Sequence, residues 1–250
     1  MKRTAYWIAM LALGIPAAWA QRDLREDGSA DPALLPWSDP VRWQAGLAYG
    51  RVARMVDLDG AEAKLSGDTY DAAIGFSPTP WLLLYGQAGG SEAQLDGLQS
   101  EGSASGAGGL LGARANLWQL YEGLQLNAWR VTLGLAAQYA YRTADDDGDG
   151  DLQWGEALVM LPLDYHLTFA RSFRNVYMVE FHSLGIFIGP AFSKLDGTWT
   201  RRGAERDFEG ADSFGVVAGG EFWLLENLSF AVRADWFEDT SVQGMVRYRF

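Results

Sequence analysis

The stretch that decides the fold is Val-Gln-Gly-Met-Val-Arg-Tyr-Arg-Phe, residues 242–250. Alternate residues fall on two different faces. One face is apolar or small, and the other is polar apart from one methionine; the first comprises Val242, Gly244, Val246, Tyr248 and Phe250, the second Gln243, Met245, Arg247 and Arg249. A period of two is typical of a β-strand with one apolar face. The same pattern recurs upstream, so the sequence predicts an all-β fold.

The clearest of the upstream strands runs from Trp129 to Arg142. Its odd-numbered residues are apolar or aromatic, and its even-numbered residues include Arg130, Gln138 and Arg142. Aromatic residues stand at both ends of the apolar face, as expected where a strand meets the two surfaces of a membrane. Counting such segments predicts ten strands over residues 41–250. Eight strands is the alternative, if the third strand or the region around Tyr177 is misassigned.

Polar segments separate the strands. Residues 57–68, 89–102 and 194–211 are predicted as loops on one side, whereas residues 77–80 form a tight proline-containing turn on the other. Short and long connections therefore alternate, as in bacterial membrane barrels. The apolar alternation slips by one residue at His182-Ser183, which predicts a β-bulge.

Composition narrows the class of protein. The chain has 11 Trp, 10 Tyr, 12 Phe and 30 Gly, only 21% charged residues and no cysteine. Aromatic and glycine enrichment suits a membrane barrel, and the lack of cysteine excludes disulfides and thiolate sites. The net charge of -12 argues against a nucleic-acid partner, because phosphate binding needs a basic surface.

The first twenty residues are predicted to be a cleaved signal peptide. Lys2 and Arg3 begin it, an apolar run from Ala5 to Leu13 follows, and Ala18-Trp19-Ala20 supplies the cleavage site. Residues 21–40 carry several prolines and no periodicity, so they are predicted to form an irregular periplasmic arm. Residues 41–250 then form the barrel.

The last strand resembles the C-terminal strand of small bacterial outer-membrane β-barrels of the OmpA or OmpW type. In that class a terminal phenylalanine, with apolar or aromatic residues at alternate positions before it, is the assembly signal; Val246, Tyr248 and Phe250 match it. Gly244 departs from the pattern, since it lies six residues before the terminus instead of five. The resemblance implies a closed antiparallel transmembrane barrel in a Gram-negative outer membrane. It also implies contact with membrane lipid and with the barrel-assembly machinery, and leaves the oligomeric state open.

If the apolar faces meet lipid, the opposite faces line the lumen. The predicted lumen-lining residues include both signs of charge: Arg42, Arg114, Arg130, Arg142, Asp164, His166, Glu221, Arg233, Asp235, Arg247 and Arg249. Opposite charges in so narrow a barrel are expected to pair, because an unpaired buried charge is costly. The sequence therefore favours a constricted lumen and a structural or surface-binding role. The alternative is a narrow passive channel for small solutes or anions.

Residues 145–156 resemble the calcium-binding loop of an EF-hand. Side-chain oxygens at its first, third, fifth and twelfth positions come from Asp145, Asp147, Asp149 and Glu156, and Asp151 offers its backbone carbonyl. The resemblance implies a Ca²⁺ site, although strands flank this loop instead of helices. The alternative is an acidic hairpin tip that is simply solvated.

An enzymatic role is not predicted. The only histidines are His166 and His182. Asp164 and His166 share an inward face, but no nucleophile is identifiable beside them. His182 and Ser183 are neighbours on a strand, so their side chains point to opposite faces. A lipid-acting outer-membrane hydrolase is therefore the least favoured alternative.

Overall fold

The computed structural model describes residues 42–79, 81–96, 104–123, 127–146, 150–169, 183–201, 203–225 and 227–250. They form an all-β structure. Its strands are β1 Arg42–Leu58, β2 Ala61–Thr79, β3 Leu82–Asp96, β4 Ala104–Gly123, β5 Asn127–Asp146, β6 Gly150–Met160, β7 Leu163–Phe169, β8 Ser183–Arg201, β9 Ala204–Gly210, β10 Phe214–Trp223, β11 Leu228–Phe237 and β12 Asp239–Arg249. Among these residues, no helix is long and apolar enough to cross a membrane.

Two pairs of segments are single strands with a local break. Strands β6 and β7 are separated only by Leu161 and Pro162, where proline has no amide hydrogen for the ladder. Strands β9 and β10 are separated by residues 211–213. Counted this way, the described residues form ten antiparallel strands, as predicted. The predicted bulge at His182-Ser183 lies partly outside the described residues, but β4 is irregular between Asn116 and Trp118.

The first and last strands close the barrel. Residues Gln44 to Arg51 of β1 pair with Val242 to Arg249 of β12. The Phe250 amide also donates to the Trp43 carbonyl oxygen at 3.0 Å. Closure gives every strand two partners, which satisfies backbone groups that lipid could not hydrogen-bond. We call the end where β1 begins and β12 finishes the inner end, and the opposite end the outer end.

The barrel narrows toward its outer end. The hairpin between β11 and β12 turns early, at Glu238, which has a φ of 63°. Above this hairpin β1 pairs directly with β9, with Val56 opposite Gly210 and Leu58 opposite Phe208. Because β9 also pairs with β8, the sheet closes there without β11 and β12. Ten strands therefore become eight.

The predicted loops over residues 57–68, 89–102 and 194–211 are largely wrong. Strand β1 extends to Leu58, β2 starts at Ala61, β3 extends to Asp96, and β8 and β9 form a hairpin through residues 194–210. These extensions reach beyond the lipid-facing band, so their outward side chains are polar and their inward side chains apolar. This is the reverse of the pattern within the membrane, which is why a search for lipid-facing alternation missed them.

Two apolar clusters fill parts of the lumen. The outer core lies inside the eight-stranded end and consists of Val56, Leu58, Ala63, Leu65, Ala93, Leu95, Ala104, Ala144, Leu152, Trp154, Leu195 and Phe208. The middle core lies deeper and consists of Ala136, Leu158, Met160, Ala191, Val217 and Phe237. Side chains thus fill much of this small barrel, as is usual near eight strands.

Candidate functional site in the barrel lumen

The outward face of the ten-stranded part is an apolar band between two rows of aromatic residues. The outer row contains Tyr49, Tyr70, Tyr139, Tyr141, Phe192, Phe214 and Trp236; the inner row contains Trp43, Trp118, Tyr165, Phe230, Tyr248 and Phe250. All of these side chains are exposed although they are large and mainly apolar. Such girdles mark the two interfaces of a membrane-spanning barrel.

The C-terminal strand contributes its apolar face to this band. Val246, Tyr248 and Phe250 are all exposed, the last at 68%. The rings of Tyr248 and Phe250 lie 6.1 Å apart, measured between centroids. The three residues of the predicted assembly signal are therefore displayed on the outer surface of β12.

A buried ion pair crosses the middle of the lumen. Arg142 donates two hydrogen bonds to Asp71, of 3.3 and 2.6 Å. Strands β3 and β4 lie between these residues, and the intervening positions in the register are Gly89 and Gly108. Without side chains at those two positions, the arginine can lie across the wall and reach the carboxylate.

A second ion pair lies nearby, on β11. Arg233 donates to Asp235 through two nitrogens, at 2.7 and 2.6 Å. Its third nitrogen donates to the Gln138 side-chain oxygen at 3.1 Å. This bidentate geometry fixes both charges within one strand.

A third ion pair lies beneath the outer core. Arg54 and Glu156 approach to 3.2 Å, and both are bridged by Ser193, whose hydroxyl accepts from Arg54 at 3.1 Å and donates to Glu156 at 2.6 Å. The Arg54 guanidinium also lies 4.1 Å from the centre of the Phe237 ring. Arg54 is 3% exposed, so its charge is buried beneath the outer core.

The inner end of the lumen holds a cavity of about 130 Å³. Arg114 and Asp164 form an ion pair of 2.5 Å in its wall, and Arg247 is paired with Glu221. The wall also includes Arg130, His166 and Arg249. The Arg249 guanidinium lies 4.1 Å from the centre of the Trp223 ring. This cavity is the most strongly charged part of the described lumen.

Further cavities continue from this one along the barrel. A cavity of about 160 Å³ shares Gln44, Arg114 and Arg247 with the first. A third, of about 80 Å³, shares Gln138 and Arg233 with the second. The series extends as far as Arg54 and Trp154, where the outer core begins.

The structure locates the residues predicted to line the lumen. Arg114, Arg130, Asp164, His166, Glu221, Arg247 and Arg249 line the inner cavity, whereas Arg142, Arg233 and Asp235 lie deeper. Arg42 opens β1, and its side chain lies outside the described part. Arg54 is not among the residues predicted to line the lumen. The signal was available, since Arg54, Val56 and Leu58 continue the even-numbered face of β1.

The structure separates one predicted calcium ligand, Glu156, from the end of the β5–β6 hairpin. Asp145 and Asp151 are cross-strand partners at the end of the β5–β6 hairpin, whereas Asp147 and Asp149 lie outside the described residues. Glu156 lies five residues further along β6, about 17 Å from Asp151 at the usual rise of a strand. It points into the lumen, paired with Arg54. Within the described ranges, no three acidic or histidine side chains form a metal-binding group. Calcium binding stays a prediction.

Lys64 and Asp239 form an ion pair at the outer surface, between β2 and the start of β12. The hydrogen bond from Lys64, helped by one of 2.8 Å from the Thr240 amide, lowers the pKa of the Asp239 carboxyl below its usual value. Both side chains are partly exposed, at 40% and 30%. The pair therefore attaches the β11–β12 hairpin to β2 without a large effect on stability.

The chain was compared with protein families, curated proteins and solved structures. No protein-family model matches the chain, and no curated protein matches it. Among solved structures, the translocator domain of the autotransporter NalP from Neisseria meningitidis aligns over 100% of this chain and 98% of its own, with 12% identity and a TM-score of 0.34.

A channel and a transporter also align. The TodX deltaS2S3 mutant monoaromatic hydrocarbon channel matches over 88% of this chain and 92% of its own, with 10% identity and a TM-score of 0.28. The toluene transporter TbuX from Ralstonia pickettii covers the same shares, with 8% identity and a TM-score of 0.21. Scores this low carry no conclusion about this chain.

Proposed function

We propose that this chain is an outer-membrane β-barrel with a structural or surface-binding role and a lumen that does not conduct. The observation that carries the proposal is the outer core. Its twelve apolar side chains are each at most 8% exposed and pack inside the eight-stranded end. A packed apolar section stops hydrated solutes, because it offers them no hydrogen-bond partners.

The proposed location is the outer membrane of a Gram-negative bacterium, reached after cleavage of residues 1–20. An even number of strands brings both ends of the barrel to one side, which would face the periplasm together with residues 21–40. Val246, Tyr248 and Phe250 would then contact the barrel-assembly machinery before they contact lipid. Their exposure on β12 supports this role.

The part available to a partner is the outer extension, which we define as the strand segments beyond the outer aromatic row. Acidic residues outnumber basic ones there: Asp57, Asp59, Glu62, Asp68, Glu92, Asp145, Asp151, Asp196, Glu205, Asp207, Glu209, Asp212, Glu238 and Asp239 against Arg51, Lys64, Lys194, Arg201 and Arg206. A partner that binds this surface would be cationic, since an acidic field attracts positive charge.

Single-channel recording in planar bilayers tests the closed lumen. The refolded wild-type protein is expected to give no discrete current steps. Replacing both Trp154 and Phe208 with Ala removes the two largest aromatic side chains of the outer core and is expected to produce steps. Phe214→Ala is the control, because Phe214 is lipid-facing and 78% exposed. Steps from the wild-type protein would contradict the proposal.

A narrow anion channel is the second candidate. The series of adjoining cavities favours it, because they need only be joined through the outer core to form a path. In that case the wild-type protein conducts, and its reversal potential in a salt gradient shows preference for the anion. Recordings of the wild-type protein therefore separate the two candidates directly.

A further inference from the structure

The inner cavity carries an imbalance of charge. Its lining includes four arginines and two carboxylates: Arg114, Arg130, Arg247 and Arg249 against Asp164 and Glu221. Among the described residues, the cavity wall therefore carries two more cations than anions, before any proton on His166. The three ion pairs deeper in the lumen are each balanced. The excess is local, and it is opposite in sign to the net charge of -12 of the whole chain.

Every one of the ten strands contributes to the wall of this cavity. Residues from β1 to β5 include Gln44, Ser77, Leu83, Arg114 and Arg130, and the others come from β7, β8, β10, β11 and β12. The sheet thus surrounds the cavity laterally. Excess positive charge in such a place costs free energy, since the low-dielectric wall screens repulsion poorly.

We propose that the inner cavity binds a small divalent oxyanion, of the phosphate or sulfate type. Two negative charges would cancel the excess. Guanidinium groups match the oxygens of such an ion geometrically, because they can donate two parallel hydrogen bonds. The volume of about 130 Å³ corresponds to roughly four water molecules at about 30 Å³ each, which suits a small ion with part of its hydration shell.

The existing pairs leave the arginines well positioned for this role. Asp164 holds Arg114 and Glu221 holds Arg247, so their side chains are fixed before the ligand arrives. The face of the Arg249 guanidinium lies on Trp223, and a guanidinium bound through its face still donates through its edge. Such a preorganised site loses little side-chain entropy on binding.

Isothermal titration of the refolded full-length protein with inorganic phosphate tests the site. The wild type is expected to bind with a stoichiometry of one. Replacing Arg130 and Arg249 with Gln removes the excess charge and is expected to weaken binding at least about tenfold, which corresponds to about 1.4 kcal/mol. Arg206→Gln, on the outer extension and 49% exposed, is the matched control and should bind as the wild type does.

A second variant is expected to change phosphate affinity in the opposite direction. Asp164→Asn removes a negative charge from the wall, while its amide oxygen can still accept the hydrogen bond that holds Arg114, so phosphate should bind more tightly than to the wild type. Folding of each variant is checked by the heat-dependent shift in gel mobility that folded barrels show. No binding to the wild type at millimolar phosphate, or weaker binding to the folded Asp164→Asn protein, would overturn the inference.

Phosphate groups also occur in lipid head groups. A parallel titration distinguishes a free phosphate ion from a phospholipid as the ligand. Short-chain phosphatidic acid below its critical micelle concentration is expected not to compete, because its acyl chains cannot enter a cavity enclosed by the strands. Competition by the lipid would overturn the assignment to a free ion. Conductance is not needed in any of these measurements, so their outcome is independent of whether the lumen is closed.

Discussion

Arg142 and Asp71 are three strands apart, yet they form a buried bidentate ion pair across the lumen. The carboxylate side chain is 0% exposed and the arginine side chain 6%. The pair is possible because Gly89 and Gly108 leave the intervening wall bare. It joins β2 to β5 independently of the backbone ladder, and it fixes the position of two charges that would be expensive to leave alone.

Breaking this pair should destabilise the barrel strongly. Arg142→Gln is expected to lower the free energy of unfolding by about 3 to 5 kcal/mol, because Asp71 then stays buried without its partner. The double variant Asp71→Asn with Arg142→Gln should lose less than the sum of the single variants. Urea unfolding in lipid vesicles, followed by tryptophan fluorescence, measures all three. Additive losses would show that the two residues do not act as a pair.

Adding a side chain at Gly108 should also destabilise the barrel, because it displaces Arg142, but by less than the loss of the ion pair. A Cβ atom at Gly108 would lie 2.5 Å from Cγ of Arg142 and 2.5 Å from the Tyr141 carbonyl oxygen. Gly108→Val is therefore expected to cost about 1 to 3 kcal/mol through strain and displacement of the arginine. Gly244→Val is the matched control, since a Cβ there meets no atom within 4 Å. Equal effects in the same urea assay would contradict this explanation.

The outer core should contribute to stability as well as to closure. Phe208 is 1% exposed, and its ring lies over the bare backbone of Gly197. Phe208→Ala is expected to cost about 3 to 5 kcal/mol, as a buried phenylalanine does when truncated. Phe214→Ala, at the lipid-facing surface, should cost much less. Thermal unfolding in detergent compares the two, and similar losses would argue against a packed outer core.

The Lys64–Asp239 pair predicts a small pH dependence. The pKa of Asp239 is lower in the folded protein than in the unfolded chain, where it is about 3.9. The ion pair therefore adds to the free energy of unfolding above that pH, and this contribution disappears as the pH falls through the folded pKa. Exposure limits this contribution to at most about 1 kcal/mol. Lys64→Met should remove that part of the pH dependence, measured as the unfolding midpoint in a series of acidic buffers. An unchanged pH profile would show that the ion pair has no role.

The membrane part of the fold was predictable because its signal is local. Period-two alternation in residues 242–250 or 129–142 needs only the neighbouring residues, and it led to ten strands and to the inward position of residues such as Arg114 and Arg233. The resemblance of the last strand added the expectation of closure. Each of these features is encoded within one strand length.

The outer end was not predictable in the same way. Residues 57–68 and 194–211 alternate too, but with apolar side chains inward and polar ones outward, because water replaces lipid around them. Whether a given face is inside cannot be read from alternation alone. Strands β1 and β9 pair directly because the β11–β12 hairpin turns early. The two strands are about 150 residues apart in the sequence, so no local pattern predicts this pairing.

The sequence by itself determined the strands, the alternation of their faces and the residue types directed toward the lumen, since these follow from backbone geometry. Only the tertiary structure decided which charges meet. Arg142 reaches Asp71 across two glycines, Arg54 joins Glu156 beneath the outer core, and four arginines converge on one cavity with two carboxylates. The physical reason is that the pairing depends on strand register and closure, which long-range contacts set and no single strand records.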